Sequence, residues 1–154
     1  MKKRKIIGYF RFLSGINLSK VENKKVRSAI ISNHLMMYRI VQQHDEDIKE
    51  LQKKLFEGRE EEISALNNLR EEYKIAETEV RKKEIVDAIM NDYKDLIELE
   101  AEFTKAINEK IDEDANISLK KISQDEFVDV CFGAGIDITP ADLVELEELL
   151  ETNN

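Results

Sequence analysis

The side chains able to do chemistry are few and scattered. The two histidines, His34 and His44, stand ten residues apart, about 15 Å along a helix at 1.5 Å per residue, so they cannot share one metal ion. Neither belongs to a Glu-x-x-His arrangement, which builds carboxylate-bridged di-iron centres in helix bundles. Asp112, Asp114 and Asn116 fit positions one, three and five of a calcium-binding EF-hand loop. Ile117 then stands where the turn needs glycine, Lys120 falls at position nine, and Ser123 replaces the bidentate Glu. The stretch reads instead as a solvated acidic helix end, where three acids oppose the dipole and help to stop the helix. Cys131 lies in the apolar run Val-Asp-Val-Cys-Phe, the setting of a buried structural thiol. Gly133-Ala134-Gly135 lacks the third glycine and preceding strand of a dinucleotide fingerprint, and the lysine of a phosphate loop. Acidic pairs such as Glu98 and Glu102 are plentiful, but carboxylates suggest acid–base catalysis only where a pocket perturbs them. The expectation is a protein that is not an enzyme, with no catalytic residue, no cofactor, no metal and no small-molecule substrate.

Charge is distributed more tellingly. Residues 1–21 carry Lys2, Lys3, Arg4, Lys5, Arg11 and Lys20 with no acid, a charge of +6 in a chain of −9. This basic segment is either a solvated tip or an anion-binding head. In the second case Lys2, Lys3, Arg4, Lys5 and Arg11, interleaved with Tyr9, Phe10 and Phe12, dock on nucleic acid, a lipid surface or the acidic body of a neighbouring copy. Residues 98–151 hold sixteen Asp or Glu against four Lys. That surface would suit an acidic inhibitor or mimic that occupies a basic groove, or it simply keeps the chain soluble.

The elements that must position these groups are helices. Ile30, His34, Met37, Val41, His44, Ile48, Leu51 and Leu55 alternate four and three residues apart, the spacing that keeps one narrow stripe against another helix. The spacing predicts a helix from about Asn23 to Phe56, stopped at Gly58. The histidines then serve as polar seam residues that fix register, with a pH-sensitive contact as the alternative. A second helical region runs from about Glu60 to Ile111. Its first seam is Leu66, Leu69, Tyr73, Ala76 and Val80, and it resumes with Val86, Ile89, Tyr93, Leu96, Phe103 and Ile107, the phase slipping by one residue between Val80 and Val86. As one helix this region would reach about 78 Å against about 50 Å for its partner. A break near residues 78–85 is therefore expected, with Thr78 capping a third helix. An unbroken helix is the alternative, because neither Gly nor Pro lies between 60 and 111.

Beyond the acidic stretch, Ile117-Ser118-Leu119 alternates like a short strand. Ser123-Gln124-Asp125-Glu126 is a capping box opening a short helix, which Gly133-Ala134-Gly135 closes. Ile136-Asp137-Ile138 reads as a second short strand beside the first. Thr139-Pro140-Ala141-Asp142 starts a last helix carrying Leu143, Leu146, Leu149 and Leu150.

Composition agrees with this outline. Ala, Glu, Lys, Leu and Arg make 69 of 154 residues, the usage of long helices and coiled coils. The expected fold class is mainly α: an elongated antiparallel helical hairpin or three-helix coiled-coil-like bundle with a small C-terminal β/α appendage. The expected segments are a basic aromatic head (1–22), the helical body (23–112), and a strand–helix–helix module packed on it (113–154). One cysteine without a partner favours a reducing compartment, and no stretch approaches the ~20 apolar residues of a membrane span.

The order of features resembles that of small uncharacterised helical-hairpin proteins of phages and prophages. The resemblance is carried by Ile117, Leu119, Ile122 and Phe127, then Ile138, Thr139, Asp142 and Leu143. It covers roughly residues 23–150, and the basic head departs from it or extends it. It implies a mobile-element origin and no activity. The expected function is thus protein–protein interaction or assembly, with a protein partner or a homo-oligomer. The alternatives are an acidic mimic, or nucleic-acid or membrane contact through residues 1–21. The expected location is the cytoplasm, or the virion if the chain is phage-encoded.

Overall fold

The computed structural model describes residues 1–151. The chain is mainly α, with a small C-terminal appendage of strands and helices. Among the described residues there are seven α-helices and one two-stranded parallel sheet.

The basic head is itself a helix, α1 (Lys3–Ser14). Ile6, Tyr9 and Leu13 recur along one face, and all three are buried. No side chain caps its start; the backbone of Met1–Lys3 is tied elsewhere. Ser14-Gly15 ends it, and Asn17 Oδ1 accepts from the Ser19 N–H to open a short 3-10 turn at Leu18–Lys20.

The predicted long helix is α2 (Lys24–Phe56). Asn23 Oδ1 caps it, accepting from the N–H groups of Lys25 and Val26 at 3.0 and 3.1 Å. Gly58 follows its end at φ +81°, a left-handed conformation that glycine adopts without penalty.

Residues 60–111 form three helices, one more than expected: α3 (Glu60–Ile75), α4 (Glu79–Asp92) and α5 (Lys94–Ile111). The first break falls where the phase slip and Thr78 put it, and Thr78 Oγ1 accepts from the Arg81 N–H at 3.2 Å. The second is a distortion at Tyr93 alone (φ −127°, ψ 17°). The bonds Tyr93 N–H to Ile89 and Ile97 N–H to Tyr93 carry the helical ladder across it.

Both short strands predicted from alternation are overturned. Segments 117–119 and 136–138 hold no strand; β1 (Ile122–Ser123) pairs in parallel with β2 (Leu150–Glu151), Ile122 opposite Leu150. Tertiary bonds decide this. Asn33 takes the backbone of Lys120, and the Ile136 N–H returns to the Cys131 carbonyl to close the preceding helix. That helix is α6 (Gln124–Ala134). The capping box predicted at its start is not made: Ser123 gives no side-chain cap, and Glu126 Oε1 accepts from Asn23 Nδ2 at 3.0 Å. The box predicted at Thr139 is made, opening α7 (Pro140–Glu145). This helix is shorter than expected, because Leu146, Leu149 and Leu150 leave it to be buried in the core.

The chain forms two compact units, cut differently from the expected segments 1–22, 23–112 and 113–154. One joins Met1–Asp45 with the chain from Ile111 onward; the other is Glu46–Lys110. In the first, α1, the start of α2, α6 and β2 share one core around Ile6, Leu13, Ile30, Met37, Phe127 and Leu149. In the second, Leu66, Ile85 and Leu96 are the buried apolar residues. Phe56 meets Phe103 edge-on at 5.5 Å and Lys110 meets Asp47 at 3.1 Å, so α5 returns antiparallel to the end of α2.

Candidate functional site

The basic head finds its acidic partner within the same chain. The Lys2 backbone bridges to Asp114: the Ala115 N–H donates to the Met1 carbonyl at 2.8 Å and the Lys3 N–H to the Glu113 carbonyl at 3.0 Å. This registers four cations on acids. Lys2 Nζ lies 3.1 Å from Asp114, Lys3 Nζ 2.6 Å from Glu113, Arg4 Nη2 3.1 Å from Asp112, and Lys5 Nζ 2.7 Å from Glu148. The hydrogen bond from Lys2 holds the Asp114 carboxyl below the usual carboxylate range, and the bond to Glu148 raises the Lys5 ammonium. The acids at 112–114, expected to be a solvated helix end, are the docking strip of α1. Their complementarity to residues 2–5 was visible in the charge pattern, but the fold that joins positions 110 residues apart was not. Arg11 stays exposed.

The first seam is real but rotated in its upper half. Ile30, Met37 and His44 are buried, as predicted. His34 is half-buried and falls on the side that exposes Ile31, Leu35 and Tyr38. Asn33 takes the buried place instead. Its Nδ2 donates to the Lys120 carbonyl at 2.8 Å and its Oδ1 accepts from the Lys120 N–H at 2.7 Å. One side chain thereby satisfies both backbone polar groups of Lys120, a residue with no strand partner. Sequence reasoning missed it because an amide inside a heptad reads as solvent face. His34 stacks on Phe10 with centroids 4.3 Å apart. Ser14 donates its one proton to the Phe10 carbonyl, so its oxygen, 2.9 Å from His34 Nε2, accepts from the ring. The buried His44 leaves Nδ1 without a hydrogen-bond partner among the described residues. Val41, Ile48, Leu51 and Leu55 are half-buried.

In the second seam Leu66 and Leu96 are fully buried, and Leu69, Ile89 and Tyr93 are half-buried. Tyr73, Val80 and Val86 are exposed, at 42%, 72% and 43%; the buried residue of the Val86 turn is Ile85. In α4 the predicted seam thus fails at Val80 and Val86, while Ile89 lies on the inner side as expected. Ion pairs brace this unit. Arg70 grips Glu100 with both guanidinium nitrogens, and Arg59 bridges Glu62 and Asp95, which lowers the Asp95 carboxyl and raises the guanidinium. Alongside Tyr73 and Val86, the residues Ile75, Val80 and Met90 lie open.

The remaining candidates for chemistry are placed as follows. Cys131 is fully buried, and burial pushes its thiol up to about 11, the state of an inert thiol. Among the described residues no cluster of His, Cys, Asp and Glu is arranged to hold a metal ion, and no helix is long and apolar enough to cross a membrane. A cleft of about 490 Å³ lies between α1 and α7, with Tyr9, Phe12 and Leu146 in its wall and Arg4, Lys5 and Glu147 at its edge. Burial raises the Tyr9 phenol there. Comparison of the chain with protein-family models, with curated proteins and with solved structures finds no match.

Proposed function

We propose that this chain is a non-enzymatic interaction protein, an assembly or accessory factor of phage or mobile-element origin, that works through open helix faces of Glu46–Lys110. The observation that carries this reading is the set of exposed apolar side chains Tyr73 and Ile75 on α3 and Val80, Val86 and Met90 on α4. Scattered apolar residues are ordinary on a surface, whereas several grouped together mark a contact site. The partner is a protein or another copy of the chain. The outline around Ile117, Phe127, Thr139 and Leu143 supports the mobile-element origin.

Two other readings have less support. Five of the sixteen acids of residues 98–151, Asp112, Glu113, Asp114, Glu147 and Glu148, already carry cations of the head. An acidic mimic would have to work with the rest. The same pairs engage Lys2, Lys3, Arg4 and Lys5, which nucleic-acid or membrane contact through residues 1–21 would need free.

The test is a photo-cross-linking residue placed at Val86 or Met90, with exposed Glu102 as control, in cells that express the chain. Discrete covalent products from the first two positions and none from the third are expected. Equal yields from all three would overturn the reading.

A further inference from the structure

Helix α4 carries apolar side chains on two opposite sides. Ile85 is buried, and Ala88 and Ile89 are half-buried on the same side. At 3.6 residues per turn, Val80, Lys83, Val86, Asp87 and Met90 fall on the other side. All five are exposed, the three apolar ones at 72%, 43% and 51%. On that side Val80, Val86 and Met90 alternate with Glu79, Lys83, Asp87 and Asn91, of which Lys83 and Asp87 lie nearest its middle. Arg81 pairs with Glu72 and Glu84, and Lys82 with Glu79, whereas Lys83 and Asp87 make no ion pair among the described residues. The groove beside them, lined by Arg70, Tyr73, Lys74 and Val86, continues the apolar surface onto α3.

We propose that this face binds the same face of a second copy, with the two α4 helices antiparallel about a two-fold axis level with Ile85. The proposal deepens the interaction reading above and rests on it. The unpaired charges select this arrangement. Lys83 and Asp87 lie symmetrically about residue 85, so each Lys83 meets Asp87 of the second copy, and the contact is made twice, as an isologous interface requires. The same register sets Val80 against Met90 of the second copy, twice, with the two Val86 side chains near the axis. A parallel pairing would set Lys83 on Lys83 and Asp87 on Asp87.

Two measurements test this. In the first, Val80→Cys and Met90→Cys variants are oxidised separately and as a mixture, with buried Cys131 left in place. The mixture is expected to give a disulfide-linked dimer. Each variant alone is not, because two copies of position 80 lie ten residues out of register, about 15 Å. In the second, light scattering follows mass against concentration. Lys83→Glu and Asp87→Lys should each weaken the dimer roughly tenfold, and the double reversal should restore it to within about threefold of the parent. These side chains are exposed, so unchanged circular dichroism is expected throughout. Equal cross-linking of Val80→Cys with itself, or a double reversal no better than the singles, overturns the pairing. A mass of one chain at all concentrations, with photo-adducts of another mass at Val86, overturns self-association and leaves the interaction reading standing. No adduct of either kind overturns both.

Discussion

Among the described residues, the unit formed by Met1–Asp45 and the chain from Ile111 onward buries seventeen apolar side chains, whereas Glu46–Lys110 buries three. The first is held by a core to which three helices and both strands contribute. The second is held by a thin seam of Leu66, Ile85 and Leu96, half-buried neighbours, and the pairs of Arg59, Arg70 and Lys110. Exposed ion pairs such as those of Arg59 add about 0–1 kcal/mol each, and even with the part-buried pairs of Arg70 and Lys110 the second unit has less to lose before it opens. Both units expose large apolar side chains, Ile31, Leu35, Tyr38, Phe132 and Val144 in the first and Tyr73, Ile75, Val80, Val86 and Met90 in the second, so the contrast between them is one of core size.

The largest test of that contrast is a pair of truncations. Phe127→Ala removes a fully buried ring that packs 5.9 Å from Phe12 and should cost about 3–5 kcal/mol by chemical denaturation. Leu96→Ala, also fully buried, should cost about 2–5 kcal/mol, but its loss should be local. Hydrogen exchange is expected to speed up across residues 60–110 and to stay slow at Ile30, Met37 and Phe127. Equal loss of protection in both units would collapse the distinction. Asn33→Ala comes next. It removes the partner of the part-buried N–H and C=O of Lys120, at about 1–3 kcal/mol, and should raise exchange at residues 117–122 ahead of global unfolding.

The two capping boxes form a finer comparison. Thr139→Ala should cost about 1 kcal/mol, because the Thr139 and Asp142 bonds are made. Ser123→Ala should cost only a few tenths of that in a melting experiment, because no cap bond is lost there.

The smallest effect expected is acid sensitivity. The carboxyls of Asp114, under Lys2, and Asp95, under Arg59, sit below the ordinary 3.8. A group depressed by folding stabilises the fold above its unfolded value and ceases to do so as pH falls through the folded one. Both are exposed, so acid titration followed by NMR should disturb residues 1–5 and 113–115 below about pH 4. It should leave Ile6 and Leu13, which hydrophobic burial holds, in place.

Much of the helical layout was legible in the sequence. The Thr78 break followed from a phase slip and a length mismatch, Gly58 from its place after the last seam residue, and Thr139 from Thr-Pro-x-Asp. These are local effects, written within a turn or two of the residues concerned. What the sequence did not disclose depended on distant partners. Strands of two residues at Ile122 and Leu150 have no periodicity to read. Glu126 gave up its box for Asn23, 103 residues away. In α4 the inner residue is Ile85 where the spacing pointed to Val86, because adjacent apolar residues offer two phases that sequence alone does not separate. The stripe of Ile6, Tyr9 and Leu13 could have revealed α1, but the run of cations before it drew the eye to binding.

The insertion of Glu46–Lys110 into the other unit also orders events in time. Its helices are contiguous in sequence and can pair as soon as they leave the ribosome. The amino-terminal helix, by contrast, must wait for Asp112–Ala115, Phe127 and Leu149 before its apolar side is covered. The inserted helices shorten the loop that this late docking has to close, and loop closure governs the speed of non-local folds. Loosening them, for example with glycines at Ala76–Glu77, should therefore slow the final collapse of a core they do not belong to.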